Sequence, residues 1–200
     1  MMQCSKMFND YSDDIFESQY ETIQSLDLIL KDHYHSFTKK IVSEESDKLD
    51  ELMLVFGIDK HIKSDNKQYW NKQLSRCWRL LVIESLHRNL AEFQGPLIIE
   101  KEEICDMVIG RDAIDTRYRI GSLAVVNTKK LKHKATKLEN MGLRPVLLIL
   151  RDDNLPQAIT ACNYNGWTTI IGKDAYEYIY KLSGFDLKTW LQTRRNLYRL

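Results

Sequence analysis

Residues 105 to 119 read Cys-Asp-Met-Val-Ile-Gly-Arg-Asp-Ala-Ile-Asp-Thr-Arg-Tyr-Arg, two short apolar runs joined by Gly-Arg-Asp, with carboxylates at Asp106 and Asp115 flanking the turn. Side chains alternate faces along a strand, which sets Asp115, Arg117 and Arg119 on one face and Ile114, Thr116, Tyr118 and Ile120 on the other. The apolar set can pack, leaving the charged set together. A hairpin turning through Gly110 to Asp112 brings Asp106, at the start of the preceding strand, alongside Asp115. Two carboxylates so placed can hold a hard divalent cation such as Mg²⁺, which prefers oxygen ligands. Asp112 itself reads as a turn residue, because Gly-Arg-Asp is ordinary turn chemistry.

The elements that position these residues follow from periodicity. Ile15, Phe16, Ile23, Leu26, Ile29, Leu30, Tyr34 and Phe37 recur at helical spacing. A second helix is expected from Glu44 to Val55, capped by Ser43 and stopped by Gly57. Residues 59–68 are polar and read as a linker. A long amphipathic helix then runs from Tyr69 through Trp78 to Leu90, carrying Glu84 and ending before Gly95-Pro96. Beyond Pro96 the period changes to that of strands, at 97–100, 105–109 and 113–120. A loop with Gly121, Ser122 and Asn127 leads to a helix over 129–141, closed by Gly142. A strand over 146–150, a helix opened by Asp153-Asn154-Leu155-Pro156, a strand over 167–171 and helices over 174–182 and 186–197 complete the chain. The order predicts an α/β layered fold with an antiparallel three-strand meander extended by crossover strands. Trp70, Trp78, Trp167 and Trp190 lie in apolar periodic runs and belong to the core.

Two hundred residues suffice for one substantial core. The division expected is an N-terminal helical region, 1–65, and an α/β domain, 66–200. The longest apolar run, 145–150, is far short of the roughly 20 residues a membrane helix needs, and no signal-peptide pattern opens the chain. A soluble, cytoplasmic protein is expected. Cys4, Cys77, Cys105 and Cys162 are scattered, with no paired spacing and no histidine at ligand distance, so they read as reduced thiols, mostly buried.

The net charge of +1 conceals an asymmetry. Residues 1–60 hold six lysines, no arginine and thirteen acids, a formal −7, which leaves 23 bases against 15 acids, a formal +8, in the remainder. The basic part contains the aspartate hairpin, which suits a polyanionic substrate such as nucleic acid. The plainer alternative is a set of solvated lysine-rich faces offset by acidic helices. Lys129, Lys130, Lys132, His133, Lys134 and Lys137 crowd the helix after the hairpin and offer phosphate contacts.

From about residue 78 to 171 this order, with acids on its second and third strands, resembles the PD-(D/E)XK nuclease superfamily, whose core is αβββαβ and whose members include many restriction endonucleases. The resemblance implies a mixed central sheet flanked by helices. It matches Asp106 to the first acid, Asp115 to the second, Arg117 to the place usually held by lysine, and Glu84 to the acid some members carry on the first core helix. It implies a Mg²⁺-dependent endonuclease acting on double-stranded DNA, with Asp106, Asp115 and the carbonyl of Thr116 as metal ligands. Arg119, Ser122, Lys129, Lys130 and Lys132 are then DNA contacts. A palindromic site implies a homodimer, for which the acidic N-terminal helices are a candidate element.

Two departures stand out. No proline precedes Asp106. Arginine replaces lysine at 117; it stays protonated, offers a planar fork suited to phosphate oxygens, and cannot serve as a base. The motif D-x8-D-x-R is short, and its plain alternative is a solvated strand-start residue at a hairpin base for Asp106 and, for Asp115, an acid paired with Arg117 or Arg119 on a wet sheet face. Arg117 also motivates the rival reading of a DNA-binding or assembly protein that keeps the fold without catalysis. A small-molecule α/β enzyme would need a glycine-rich or nucleophilic motif at a strand end, and none is seen.

Overall fold

The computed structural model describes residues 19–34, 49–121 and 128–198. Helix α1 spans 19–34 and buries Leu26 and Leu30. Helices α2 (Glu51–Val55), α3 (Lys60–Asp65) and α4 (Lys67–His87) are each opened by a side chain that accepts a first-turn amide, Asp50 from Met53, Asp59 from Ile62 and Asn66 from Tyr69. These caps correct the sequence reading twice. The helix expected over 44–55 is interrupted at residues 49 and 50, which are non-helical, and α2 begins at Glu51; residues 43–48 lie outside the described residues. The stretch 59–68 is not a linker. Its Asp59 and Asn66 are caps, and Lys63 is buried, with Nζ 3.7 Å from the Met53 sulfur and 5.4 Å from the Tyr118 ring centroid.

Among the described residues seven strands follow α4: β1 (Phe93–Gln94), β2 (Leu97–Ile99), β3 (Glu102–Cys105), β4 (Met107–Ile109), β5 (Asp112–Arg117), β6 (Arg144–Ile149) and β7 (Thr168–Ile171). The central sheet is mixed, in the order β1-β4-β5-β6-β7, antiparallel on the β1 side of β5 and parallel beyond it. The parallel strands are joined through helices α5 (Thr128–Asn140) and α6 (Pro156–Tyr164), as parallel neighbours require. The expected meander is therefore corrected. The strand at 97–99 leaves the sheet and pairs only with β3 in a separate ribbon, and the outer neighbour of β4 is the two-residue β1. The run expected as one strand over 105–109 is divided at Asp106, which belongs to neither β3 nor β4. The strand expected to reach residue 120 ends at Arg117.

Two apolar layers sandwich the sheet. On one face Met107, Ile114, Tyr118, Val146, Leu148 and Leu150 pack with α4, with the N-terminal residues Leu26, Leu30, Leu52 and Phe56, and with α7 (Lys173–Ser183) and α8 (Leu187–Gln192). On the other face Val108, Ala113, Leu147 and Ile149 pack against Ala135 and Leu138 of α5 and Ala158 and Cys162 of α6. The unbroken apolar run at 145–150 is what a strand covered on both sides needs. Each fully buried Leu, Ile or Val there contributes about 1.5–3 kcal/mol. Residues before and after position 66 thus share one core. The four tryptophans are buried as expected, and Cys77, Cys105 and Cys162 are buried free thiols. Helix α8 stops at Gln192, five residues short of the helix expected to 197. Among the described residues no helix is long and apolar enough to cross a membrane.

Candidate functional site: a paired-aspartate centre

The turn between β4 and β5 consists of Gly110 and Arg111, with Gly110 at φ 55, a left-handed conformation that glycine adopts without steric cost at the first position of a tight hairpin. That turn sets the register Ile109↔Asp112 and Met107↔Ile114. One step further along the hairpin, Asp106 falls opposite Asp115, and its amide donates to the Ile114 carbonyl at 2.9 Å. Here β3 turns away toward β2, and the Thr116 amide finds its acceptor in a side chain: it donates to Asp106 Oδ2 at 2.7 Å, and the Thr116 hydroxyl donates to the same oxygen. The kink thus fixes one carboxylate oxygen of Asp106. The other, Oδ1, is 3.0 Å from Arg79 Nε, reaching over from α4. Arg79 also donates from Nη2 to Glu103 Oε1 at 2.7 Å. Asp115 Oδ2 accepts from Arg117 Nη2 at 2.6 Å.

Both acids are buried, Asp106 at 2 % and Asp115 at 5 % exposure. Burial pushes the Asp106 carboxyl up, the neighbouring Asp115 charge adds to this, and the Thr116 donors and Arg79 oppose it, leaving it at about 6. The cations are the exposed partners, with 37 % of the Arg79 side chain and 43 % of Arg117 open to solvent. A buried carboxylate pair, one member of which holds its proton to a higher pH than an ordinary aspartate, is relieved by a small dication. Burial pushes the adjacent Cys105 thiol up to about 11, so it is a neutral thiol near neutral pH. Among the described residues no three His, Cys, Asp or Glu side chains assemble as a ligand cluster. The two carboxylates are oxygen donors of the kind that Mg²⁺ takes.

The other expected site residues are distributed differently. Glu84, on α4, is engaged by the Ser25 hydroxyl and by Arg88 Nε at 2.8 Å, and it is Arg79 that α4 presents to Asp106. Arg119 lies past the end of β5 and turns to Asp153, donating to its carbonyl at 3.1 Å. Ile120 joins the core on the α5 and α6 face, whereas Ile114 and Tyr118 join the opposite one, so the expected single apolar face ends where the strand does. Asp112, expected in the turn, is instead the first residue of β5, where both arms of Arg144 hold it at 2.7 and 2.5 Å together with the Tyr178 hydroxyl, a structural role. Lys129 and Lys132 are exposed on α5. Lys130 lies 3.1 Å from Glu102 and Lys137 3.0 Å from Glu100, pinning α5 to the β2–β3 ribbon. Ser122 lies outside the described residues.

Sequence reasoning missed Arg79 and Glu103. The only signal for Arg79 was a cation set between Trp78 and Leu80 in an otherwise apolar stretch of helix. It also missed Arg151, a buried arginine just past the end of a buried strand. Comparison of the chain with protein-family models, with curated proteins and with solved structures finds no match in any of the three.

Proposed function

We propose that the chain is a Mg²⁺-dependent endonuclease that cleaves double-stranded DNA at a specific, palindromic site as a homodimer. The observation that carries this reading is the meeting of Asp106, at the break between β3 and β4, with Asp115 on β5, both buried, on a sheet whose one face is covered by the lysine-rich helix α5. Asp106, Asp115 and the Thr116 carbonyl would hold the cation, whose chemistry when bound is to acidify a water and neutralise charge on the scissile phosphate. Thr116 orients Asp106 through two hydrogen bonds. Arg117, freed from Asp115, would supply a fork of donors to the phosphate oxygens as charge builds on them. Exposed Lys129 and Lys132 would add backbone contacts to DNA. The order of elements from α4 onward and the PD-(D/E)XK resemblance support the same reading.

A specific observation favours a second reading. Each acid already has a guanidinium partner, Arg79 on Asp106 and Arg117 on Asp115. A DNA-binding or assembly protein that keeps the fold without catalysis would hold its acids in this way. Incubation with phage DNA and Mg²⁺, with EDTA as the control, separates the two. Discrete Mg²⁺-dependent fragments are expected; a smear would argue against sequence specificity, and intact DNA at every protein concentration would favour the second reading.

A further inference from the structure

Of the two arginines at the aspartate centre, Arg79 is the more firmly held. It is anchored twice, with Nε 3.0 Å from Asp106 Oδ1 and Nη2 donating to Glu103 Oε1 at 2.7 Å. Both anchors are themselves fixed. Asp106 Oδ2 takes the Thr116 amide and hydroxyl. Glu103 pairs with Ile98 in the β2–β3 ribbon, and its carbonyl takes Lys134 Nζ at 2.6 Å. Among the described residues Arg117 has a single contact at the centre, with Asp115 Oδ2. Arg117 is therefore the guanidinium that a metal ion displaces first, and Arg79 the one that stays.

An ionised carboxylate offers about four acceptor positions, two on each oxygen. On Asp106 the two Thr116 donors fill Oδ2 and Arg79 takes one position on Oδ1, so about one is left for a metal ion. Asp115 is the opposite case. Only its Oδ2 is engaged, and Oδ1 accepts no hydrogen bond among the described residues, yet the side chain is only 7 % exposed. The pair can therefore share one dication. Two ions acting on one phosphate stand roughly 3.5–4 Å apart, and both would have to draw on Asp106, where Arg79 already stands. Charge gives the same answer. With one dication in place of Arg117, the acids Asp106, Asp115 and Glu103 are balanced by that ion and by the Arg79 guanidinium, which does not lose its proton. A second dication would leave the centre doubly positive, beside Lys134.

We propose that Arg79 is the resident second cation of this centre, so that the site takes one divalent ion where two would otherwise bind. This rests on the reading that Asp106 and Asp115 hold a divalent cation, and adds how many ions they hold and what sets the number. Arg79 acts as a positioning residue: it holds Asp106 Oδ1 and supplies there the positive charge that a second ion would bring. Removing that charge vacates the space between Asp106 Oδ1 and Glu103 Oε1, two oxygens now bridged by one guanidinium, and opens it to a second ion.

The test counts ions and does not use cleavage. The full chain is titrated with Mn²⁺, a paramagnetic stand-in for Mg²⁺, and free Mn²⁺ is followed by its EPR signal. The parent should bind one ion per chain, and Asp115→Asn should bind none at the concentration that saturates the parent. Arg79→Gln, which removes the charge but keeps a donor for Asp106, should bind two. Arg79→Lys, which keeps the charge, should bind one, and Arg79→Gln combined with Glu103→Gln should return to one. Thermal melting of each variant ensures that folded chains are compared. Two ions in the parent would overturn the proposal, a result that needs no variant. So would a single ion in Arg79→Gln: at unchanged affinity Arg79 holds no cation place, and at higher affinity it competes for the only one. In each of these cases the reading of Asp106 and Asp115 as metal ligands survives, whereas a parent that binds no ion would end that reading and this proposal together.

Discussion

Around Arg151 the most deeply buried member of the ion cluster is a cation, whereas around Asp106 and Asp115 the buried members are acids. The Arg151 side chain is 2 % exposed and is met on every side: by both oxygens of Asp153 at 2.6 and 2.8 Å, by Asp50 at 3.0 Å, and by the Tyr118 ring, whose centroid lies 5.7 Å from the guanidinium carbon. It ties the end of β6 to the start of α2. At the aspartate pair the counter-ions are Arg79 and Arg117, which reach in from solvent and keep more than a third of their side chains there. A buried, fully matched cation can be changed only by damaging the fold. Buried acids whose partners stand in water can exchange those partners for another cation. The first arrangement is a joint, and the second has the properties of a site.

The sharpest break of this comparison is at the acids. Asp115→Asn removes one of the two charges a cation would need while leaving the lysines of α5 in place. It should abolish Mg²⁺-dependent cleavage and leave DNA affinity within a few-fold of the parent, measured by gel assay and by fluorescence anisotropy. Full cleavage by this variant would end the assignment of Asp115. At the joint the expectation is reversed. Arg151→Ala strands Asp50 and Asp153 and should cost about 3–5 kcal/mol of stability in urea denaturation, the range for breaking a buried ion pair. A loss under about 1 kcal/mol, as for a surface pair, would show that the Arg151 cluster is not the rigid member of the two.

How much of this contrast could be read from the chain differs between its halves. Asp106 and Asp115 were legible because both lie on one local hairpin, whose turn chemistry and two-residue period fix which side chains meet. The buried run at 145–150 and the core tryptophans were legible for the same reason, since periodicity reports burial. Arg79 was not, because its meeting with Asp106 depends on how α4 crosses the hairpin. Nor was Arg151, whose partner Asp50 lies 101 positions earlier. The departure of β2 into its own ribbon was invisible as well: an apolar tripeptide before a turn does not say which neighbour it will pair with. Residues 59–68 misled because capping residues and linker residues are the same amino acids.

Arg117 lies between the two extremes, a cation of the exchangeable kind beside a buried acid. If it releases Asp115 to contact phosphate, Arg117→Ala should lose about 2–4 kcal/mol of transition-state stabilisation in single-turnover assays, the range for removing one preorganised donor. Arg117→Lys should retain measurable cleavage, because a point charge still reaches the phosphate. Cleavage by Arg117→Ala at the parental rate would remove Arg117 from the chemistry and leave it as a surface partner of Asp115.

The smallest effect is the most direct measure of how the acid pair differs from the joint. Asp106 is raised to about 6 chiefly by burial and then by the Asp115 charge. A carboxyl raised in the fold favours the protonated folded state, so its contribution to stability is complete below pH 4, the ordinary aspartate range, and is lost as pH rises through about 6. A bound dication should reverse that sign, because it favours the ionised pair. A carbon-detected NMR titration of the Asp106 carboxyl, without Mg²⁺, should therefore give a midpoint near 6 in the parent chain. The midpoint should fall in Asp115→Asn, which removes the like charge but leaves the burial, and fall further in the parent when Mg²⁺ is added. A midpoint in the ordinary aspartate range without Mg²⁺ would mean that Arg79 and Thr116 already neutralise Asp106, and the aspartate pair would then be a second joint like the one at Arg151.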